Sequence, residues 1–437
     1  MQDGVKEIVN VILFLILFDP SQIINLDTTN RQQVPAIVAY ENYVHVIWED
    51  ERDTTCDFDI YCRTSTDGGQ SFAYEVIINF QHERNQRNPD CAVYGGIVFT
   101  VFEDYQSYYD ISFAKSTNHG QSFTPSIIVN DTTRYSQRYP AIAVDKSGLL
   151  FVVWYDSYRD KDVYLSRSTD GGVSFGSSIL VNSLLADTLP QYQPSIAIDN
   201  GGRVFVAFVD SSSNSIYLAR STDQGQSFNH LVQVNTSADS IRGYPDIGID
   251  GGDRIFVTWE DKRSGDYDIY LARSTDHGTS FETEIRVNDL IGRHQRKPAI
   301  AIKDDEIYVV WEDYRSNNYD VYISKSTDHG VSFLNSVIVN DYTEKSQRYP
   351  DICSTNRLHI AWEDYRATSA DIYATGGDVG ISEETNGVSG MIIRSPTGHL
   401  GRNLRIYDAL GRRIKKVSSP GVYFIEGRTR IKVIVIR

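Results

Sequence analysis

Four arginines stand two residues ahead of a proline, each directly after a glutamine: Arg87, Arg138, Arg296 and Arg348. A second set follows tryptophan in the pattern Trp-Glu-Asp-x-Arg: Glu49, Asp50 and Arg52; Glu260, Asp261 and Arg263; Glu312, Asp313 and Arg315; Glu363, Asp364 and Arg366. A guanidinium fork binds a carboxylate through two parallel hydrogen bonds, and two carboxyl groups at a fixed separation cleave a glycosidic bond. These residue types therefore read in three ways: ion pairs between repeated units, a polar ligand site, or glycoside hydrolysis. The ligand-binding candidates are Arg87, Arg138, Arg296, Arg348, Arg52, Arg315, Glu49 and Glu312, and no residue is singled out as catalytic. No histidine cluster has metal-ligand spacing, so neither metal nor cofactor is expected.

The elements that must hold these groups repeat. The prolines at 35, 89, 140, 194, 245, 298 and 350 open short apolar runs 51 to 54 residues apart, and Trp48, Phe102, Trp154, Phe208, Trp259, Trp311 and Trp362 close a second run in step. Each unit shows four strand-like segments, as in Pro140-Ala-Ile-Ala-Val144, Phe151-Val-Val-Trp154, Asp162-Val-Tyr164 and Ile179-Leu-Val-Asn182. Short Val/Ile/Tyr/Phe runs between Gly/Asp/Ser/Asn clusters are strands, and no segment keeps a helical period. The expectation is an all-β propeller of seven four-stranded blades. The seventh unit lacks a fourth strand, and Ile23-Ile-Asn-Leu26 is expected to supply it; six blades plus a remnant is the alternative. Such duplication argues that the arginines and carboxylates are scaffold, and that any site lies in blades two and four or at the seam between blades seven and one.

Between the third and fourth strands runs Ser-Thr-Asp-x-Gly-x-Ser-Phe, at 65–72, 168–175, 221–228, 274–281 and 326–333, with a sixth copy at 116–123. The side chains of Asp67, Asn118, Asp170, Asp223, Asp276 and Asp328 are expected to accept backbone N–H groups in a folded turn. His119, His277 and His329 fall inside these turns. The motif resembles the Asp-box of the sialidase/neuraminidase superfamily and its BNR-repeat relatives. That resemblance implies a structural turn on the blade periphery, away from any active site. The Arg-x-Pro arginines and the Glu-x-Arg loops resemble the first sialidase blade, where arginines hold a sialic-acid carboxylate. The family's Tyr–Glu nucleophile pair has no recognisable counterpart in this chain.

Lys+Arg 42 against Asp+Glu 58 gives a net charge of −16, which argues against a nucleic-acid partner. From Gly377 onward 11 basic side chains face 5 acidic ones, a net of +6 that marks a second domain. Four cysteines are too few for a disulfide framework. Cys56 and Cys62 would pair locally in an oxidising compartment, while Cys91 and Cys353 read as buried free thiols. Residues 1–19 resemble a signal peptide through the apolar stretch from Val9 to Phe18, too short for a stable membrane span. A first strand or a frayed tail is the other reading.

The expected propeller covers 20–376, with a linker at 377–390. Residues 391–437 form three strand-like segments, including Ile406-Tyr-Asp-Ala-Leu-Gly-Arg412 and Ser419-Pro-Gly-Val-Tyr-Phe424. They resemble the type A C-terminal sorting domain of the type IX secretion system. The resemblance implies a small β-sandwich that engages secretion machinery, and a protein secreted or held at the outer cell surface. The functional expectation is a sialidase-like propeller that interacts with a glycan without catalysis; an exo-acting sialidase-type glycosidase is the alternative.

Overall fold

The computed structural model describes residues 16–52, 57–79, 84–157, 162–185, 189–236 and 240–379, with four short strands between 405 and 435. Every regular element among them is a strand. Residues 18–378 form one compact unit. Its seven antiparallel sheets open at Gln32–Tyr40, Gln86–Tyr94, Gln137–Val144, Gln191–Ile198, Arg242–Ile249, Gln295–Lys303 and Gln347–Ser354. Each opening strand pairs with the second strand of its blade, the second with the third and the third with the fourth. The opening strands touch one another in sequence, and that of blade seven touches that of blade one, so the ring is closed.

The expected seam is present. Gln22–Ile23 pairs antiparallel with Asp371–Val379, supplying the outer strand of blade seven. The expectation of seven blades therefore holds, and six is excluded. The cysteines differ from expectation in degree: Cys62 is a buried free thiol, whereas Cys91 and Cys353 are free but only partly covered. Cys56 and residues 1–15 lie outside the described residues.

Burial follows from the alternation along the strands. Trp48, Trp154, Trp259, Trp311 and Trp362 are almost wholly buried, and the first four pack with apolar side chains of their own and the adjoining blade. Close blade contact also explains one turn glycine. A Cβ on Gly278, at φ +72°, would stand 2.9 Å from Leu218 of the preceding blade.

A polar network ties the fourth strand to its blade. Asn79 Oδ1 accepts the Ile60 N–H at 2.8 Å, while its amide donates to Asp59 at 2.6 Å and Gln86 at 3.0 Å. Asn130, Asn182, Asn288 and Asn340 repeat this arrangement. Asn25 repeats it across the seam, donating to Asp371 at 2.8 Å and Gln32 at 3.1 Å. Buried asparagine amides that both donate and accept in this way set a unique register.

The six turn motifs close on themselves. Asp67 accepts from the Ser71 N–H at 2.8 Å and the Ser65 hydroxyl at 2.7 Å, and Asn118 does the same in the second blade. Third-strand Ser65 pairs with Val44 at the start of the second strand, whereas Ile60 pairs with Glu49 near its end. The turns therefore lie at the opposite end of the strands from the Trp-Glu-Asp segments. The second unit holds 379–437, and its described residues form one four-stranded antiparallel sheet, ordered Arg413–Ile414, Arg405–Asp408, Gly421–Glu426, Arg430–Val435. The second layer of the expected sandwich lies outside the described residues.

Candidate functional site

The face carrying the second-strand ends is built around a bulge repeated in every blade. The residue before each opening proline adopts a left-handed backbone: Val34, Asn88, Tyr139, Gln193, Tyr244, Lys297 and Tyr349, with φ between 46° and 54°. The strand register shifts at the same place, as between Arg138 and Ala141. Proline lacks a donor and belongs at such a bulge. Left-handed residues other than glycine are strained and persist only where their surroundings hold them.

What holds five of them is the glutamate of the preceding blade, while the Tyr244 N–H donates to Gln193 Oε1 at 2.9 Å. Glu49 accepts the Asn88 N–H at 2.6 Å, Glu103 that of Tyr139 at 2.8 Å, Glu260 that of Lys297 at 3.0 Å and Glu312 that of Tyr349 at 2.8 Å. Glu363 takes the Val34 N–H at 2.9 Å across the seam. The Arg-x-Pro side chains complete the joint. Arg138 lies 2.6 Å from Glu103, Arg296 3.1 Å from Glu260 and Arg348 3.6 Å from Glu312. Each also stacks on an aromatic ring of that same preceding blade: Arg87 on Phe58 at 4.6 Å, Arg138 on Tyr109 at 4.6 Å, Arg296 on Tyr267 at 4.7 Å and Arg348 on Tyr319 at 4.9 Å.

The sequence pattern has the same logic. An Arg-x-Pro arginine occurs only where the preceding blade supplies both a glutamate and an aromatic residue at these positions. Blades three, four and seven place Tyr155 and Lys161, Val209 and Asn214, and Glu363 and Ala370 there, and no arginine follows. This is a joint between blades.

The loop arginines do something different from what the repeat suggested. Arg52, Arg263, Arg315 and Arg366 pair with the aspartate of their own blade, at 2.5 to 2.7 Å, and not with a neighbouring blade through that aspartate. Arg52 also reaches Glu75 at 2.7 Å and covers the Tyr61 ring at 3.8 Å. Asp50, Asp261, Asp313 and Asp364 each accept from the buried indole two residues before. The Arg-x-Pro arginines thus pair between blades with glutamate, whereas the loop arginines pair first within their blade, and Arg315 and Arg366 also reach Asp289 at 3.0 Å and Asp341 at 3.1 Å of the preceding blade. In blade five Arg242 replaces the usual glutamine and meets Asp261 at 2.8 Å, both side chains fully buried. Burial works to raise the Asp261 carboxyl, but its bonds from Arg263 and Ser240 outweigh it and hold it at about 2.

Two departures break the symmetry of this face. The first is Lys297, 6% exposed, with Nζ 3.5 Å from Glu312 and 2.7 Å from the Tyr349 ring centroid. Burial lowers this amine to about 8. Glu363, the one ring glutamate followed by no arginine, is pushed by burial up to about 7, and Lys297 moderates the shift. Glu49 is likewise raised by burial to about 7. The second departure is a group of tyrosines between blades two and three, where Gln106 stands in place of a loop arginine and Tyr155 in place of a glutamate. Lys297 and the tyrosines belong to positions where a repeat-based reading expects no signal, and comparison of the seven copies position by position would have found them.

Nearer the axis, Asp90, Asp246 and Asp351 follow the opening prolines of blades two, five and seven. Each accepts an N–H of the next opening strand, from Ile142, Ile300 and Ile37, at 2.8 to 2.9 Å. On the turn side, Asp199, Asp253 and His277 gather closely enough to suit a cation. The Arg203 guanidinium already occupies that point, 2.8 Å from His277 Nδ1 and 3.5 Å from Asp253.

No family model and no curated protein matches the sequence. Solved structures do match. An ulvan lyase of polysaccharide lyase family 25 aligns over 82% of this chain and 95% of its own, with TM-score 0.58 and 10% identity. A Dyadobacter fermentans protein of unknown function aligns over 83% and 99%, with TM-score 0.52 and 14% identity. An α-L-arabinanase of Penicillium chrysogenum, complexed with arabinobiose, aligns over 67% and 93%, with TM-score 0.50 and 13% identity. Sialidases lie further off, at TM-scores of 0.47 to 0.48. At these identities the likeness is one of fold, a propeller scaffold that carbohydrate-acting proteins also use.

Proposed function

We propose that the propeller binds an acidic glycan on the face carrying the second-strand ends, and that it binds without cleaving. One observation carries this reading: arginine edges and aromatic rings alternate around that face, with the side chains of Arg138, Arg296 and Arg348 28 to 33% exposed beside Tyr109, Tyr267 and Tyr319. Guanidinium groups serve the carboxylates of an acidic sugar, and ring faces serve its apolar C–H surfaces. The carbohydrate-acting neighbours share the scaffold and so support the substrate class. Against a sialidase mechanism, the Arg-x-Pro arginines stand at separate joints, beside Glu103, Glu260 and Glu312, and not gathered around one carboxylate.

A second reading has its own support. Glu363 and Glu49 titrate near 7, within range of general acid–base work at neutral pH. The alternative of an exo-acting glycosidase would draw on them. An immobilised glycan panel and a fluorogenic sialoside separate the two. Retention on acidic glycans with no released fluorophore supports binding. Sialoside turnover that disappears in Glu363→Gln replaces it with catalysis. We further propose secretion or display at the outer cell surface, with residues 391–437 acting as the address.

A further inference from the structure

The exposed aromatic surface of the ligand face is concentrated at one joint. Tyr105, Tyr108, Tyr135 and Tyr139 are 38 to 45% exposed, an uncommon display of large rings on a protein surface. They belong to the loop ending blade two and the approach to blade three, and the Tyr109 N–H meets the Ser136 hydroxyl at 3.4 Å between them. Tyr105 packs on Tyr109 with centroids 5.1 Å apart, Tyr108 on Tyr135 at 5.9 Å, and Tyr139 on Tyr155 at 6.1 Å.

The Arg138 guanidinium sits among these rings, 4.6 Å from the Tyr109 centroid and 5.8 Å from that of Tyr139. Its ion pair with Glu103 uses Nε. Its terminal nitrogens make no hydrogen bond among the described residues, and the side chain is 30% exposed. Elsewhere on the ring a loop arginine follows the aspartate: Arg52 and Arg315 lie over Tyr61 and Tyr322 of their own blades and hold nearby carboxylates. Blade two has the uncharged Gln106 at that position, so no loop arginine follows its aspartate at the joint where exposed tyrosines gather.

The geometry points to a saccharide subsite at the joint of blades two and three, taking a uronic-acid unit. Pyranose C–H faces stack on the Tyr108–Tyr135 and Tyr139–Tyr155 pairs, and the uronate carboxylate accepts from the terminal nitrogens of Arg138. This rests on the glycan-binding reading above and names the sugar class and the part of the face that reads it.

The test uses the full chain on an array of oligogalacturonate, oligoguluronate and hyaluronan fragments beside neutral oligosaccharides of equal length. Tyr108→Ala and Tyr135→Ala, both surface changes, are expected to lower retention on the uronates at least tenfold with unchanged melting temperature. Tyr74→Ala, on an 88% exposed ring in blade one, is expected to have no effect. Equal retention of neutral and acidic chains would overturn the carboxylate contact at Arg138. Uronate retention unchanged in both tyrosine variants would overturn this subsite while leaving glycan binding intact. No retention on any glycan would overturn both.

Discussion

Lys297 Nζ lies 2.7 Å from the centroid of the Tyr349 ring and 3.5 Å from Glu312, a buried cation placed where six other blades have none. Its removal takes from Glu363 the cation that moderates its burial and leaves Glu312 with Arg348 alone. Breaking a buried pair costs about 3 kcal/mol. Lys297→Met is expected to show that loss between pH 7 and 8, where Glu363, raised to about 7, and Lys297, lowered to about 8, are both charged. At pH 5.5, with Glu363 protonated, most of the loss should vanish. Denaturant titrations at the two pH values check this, and an equal loss at both would refute the pairing.

Glu103 accepts from the Tyr139 N–H and Asn88 Nδ2 and forms an ion pair with Arg138, the fullest form of the inter-blade joint. Glu103→Ala strands a left-handed residue's buried amide and an arginine, at roughly 1–3 kcal/mol for each unsatisfied group. Glu103→Gln keeps one acceptor oxygen and should recover part of that. A thermal melt in which the two variants coincide with the native protein would remove the joint from the account.

Burial raises Asp90 to about 7 and Asp351 to about 8, with repulsion among the axial aspartates adding to it, and Asp246 is raised by burial as well. The unfolded chain releases the Asp90 and Asp351 protons near pH 4, whereas the folded ring holds them to about pH 7 and 8. The folded state therefore binds more protons across that window, and stability falls as pH rises from about 4 to 8. Glu49 and Glu363 act in the same sense. The melting temperature should drop between pH 5 and pH 8, less steeply in Asp351→Asn. A melting temperature that climbs over this range contradicts the assignment.

Export provides an independent check. Deleting residues 391–437 should retain the propeller within the cell envelope, read by immunoblot of cell and medium fractions. Undiminished release would remove the sorting role.

The ring and its closure were legible because strand alternation and the blade-opening proline recur seven times, and Ile24-Asn25 matched Ile78-Asn79 and the Val-Asn segments of the other blades. The role of those asparagines was not legible: their partners lie up to 347 residues away in sequence, as for Asn25 and Ile372. The arginine–glutamate joint was half visible. Residue types suggested inter-blade ion pairs, but which acid met which arginine depends on the bulge before each proline, and the left-handed dihedrals of Tyr139 or Lys297 leave no mark in composition. Lys297 escaped because a lone lysine before proline resembles a surface residue, while its burial comes from Tyr349 in the next blade.

Calorimetric titration of the full chain with the uronate oligosaccharide that it best retains tests the central claim most directly, because one trace reports both binding and turnover. The account predicts a saturable curve that returns to baseline after each injection and weakens with added salt. Sustained heat after each injection would mean that the sugar is consumed, and a flat trace would mean that this face binds no glycan; either result contradicts the account.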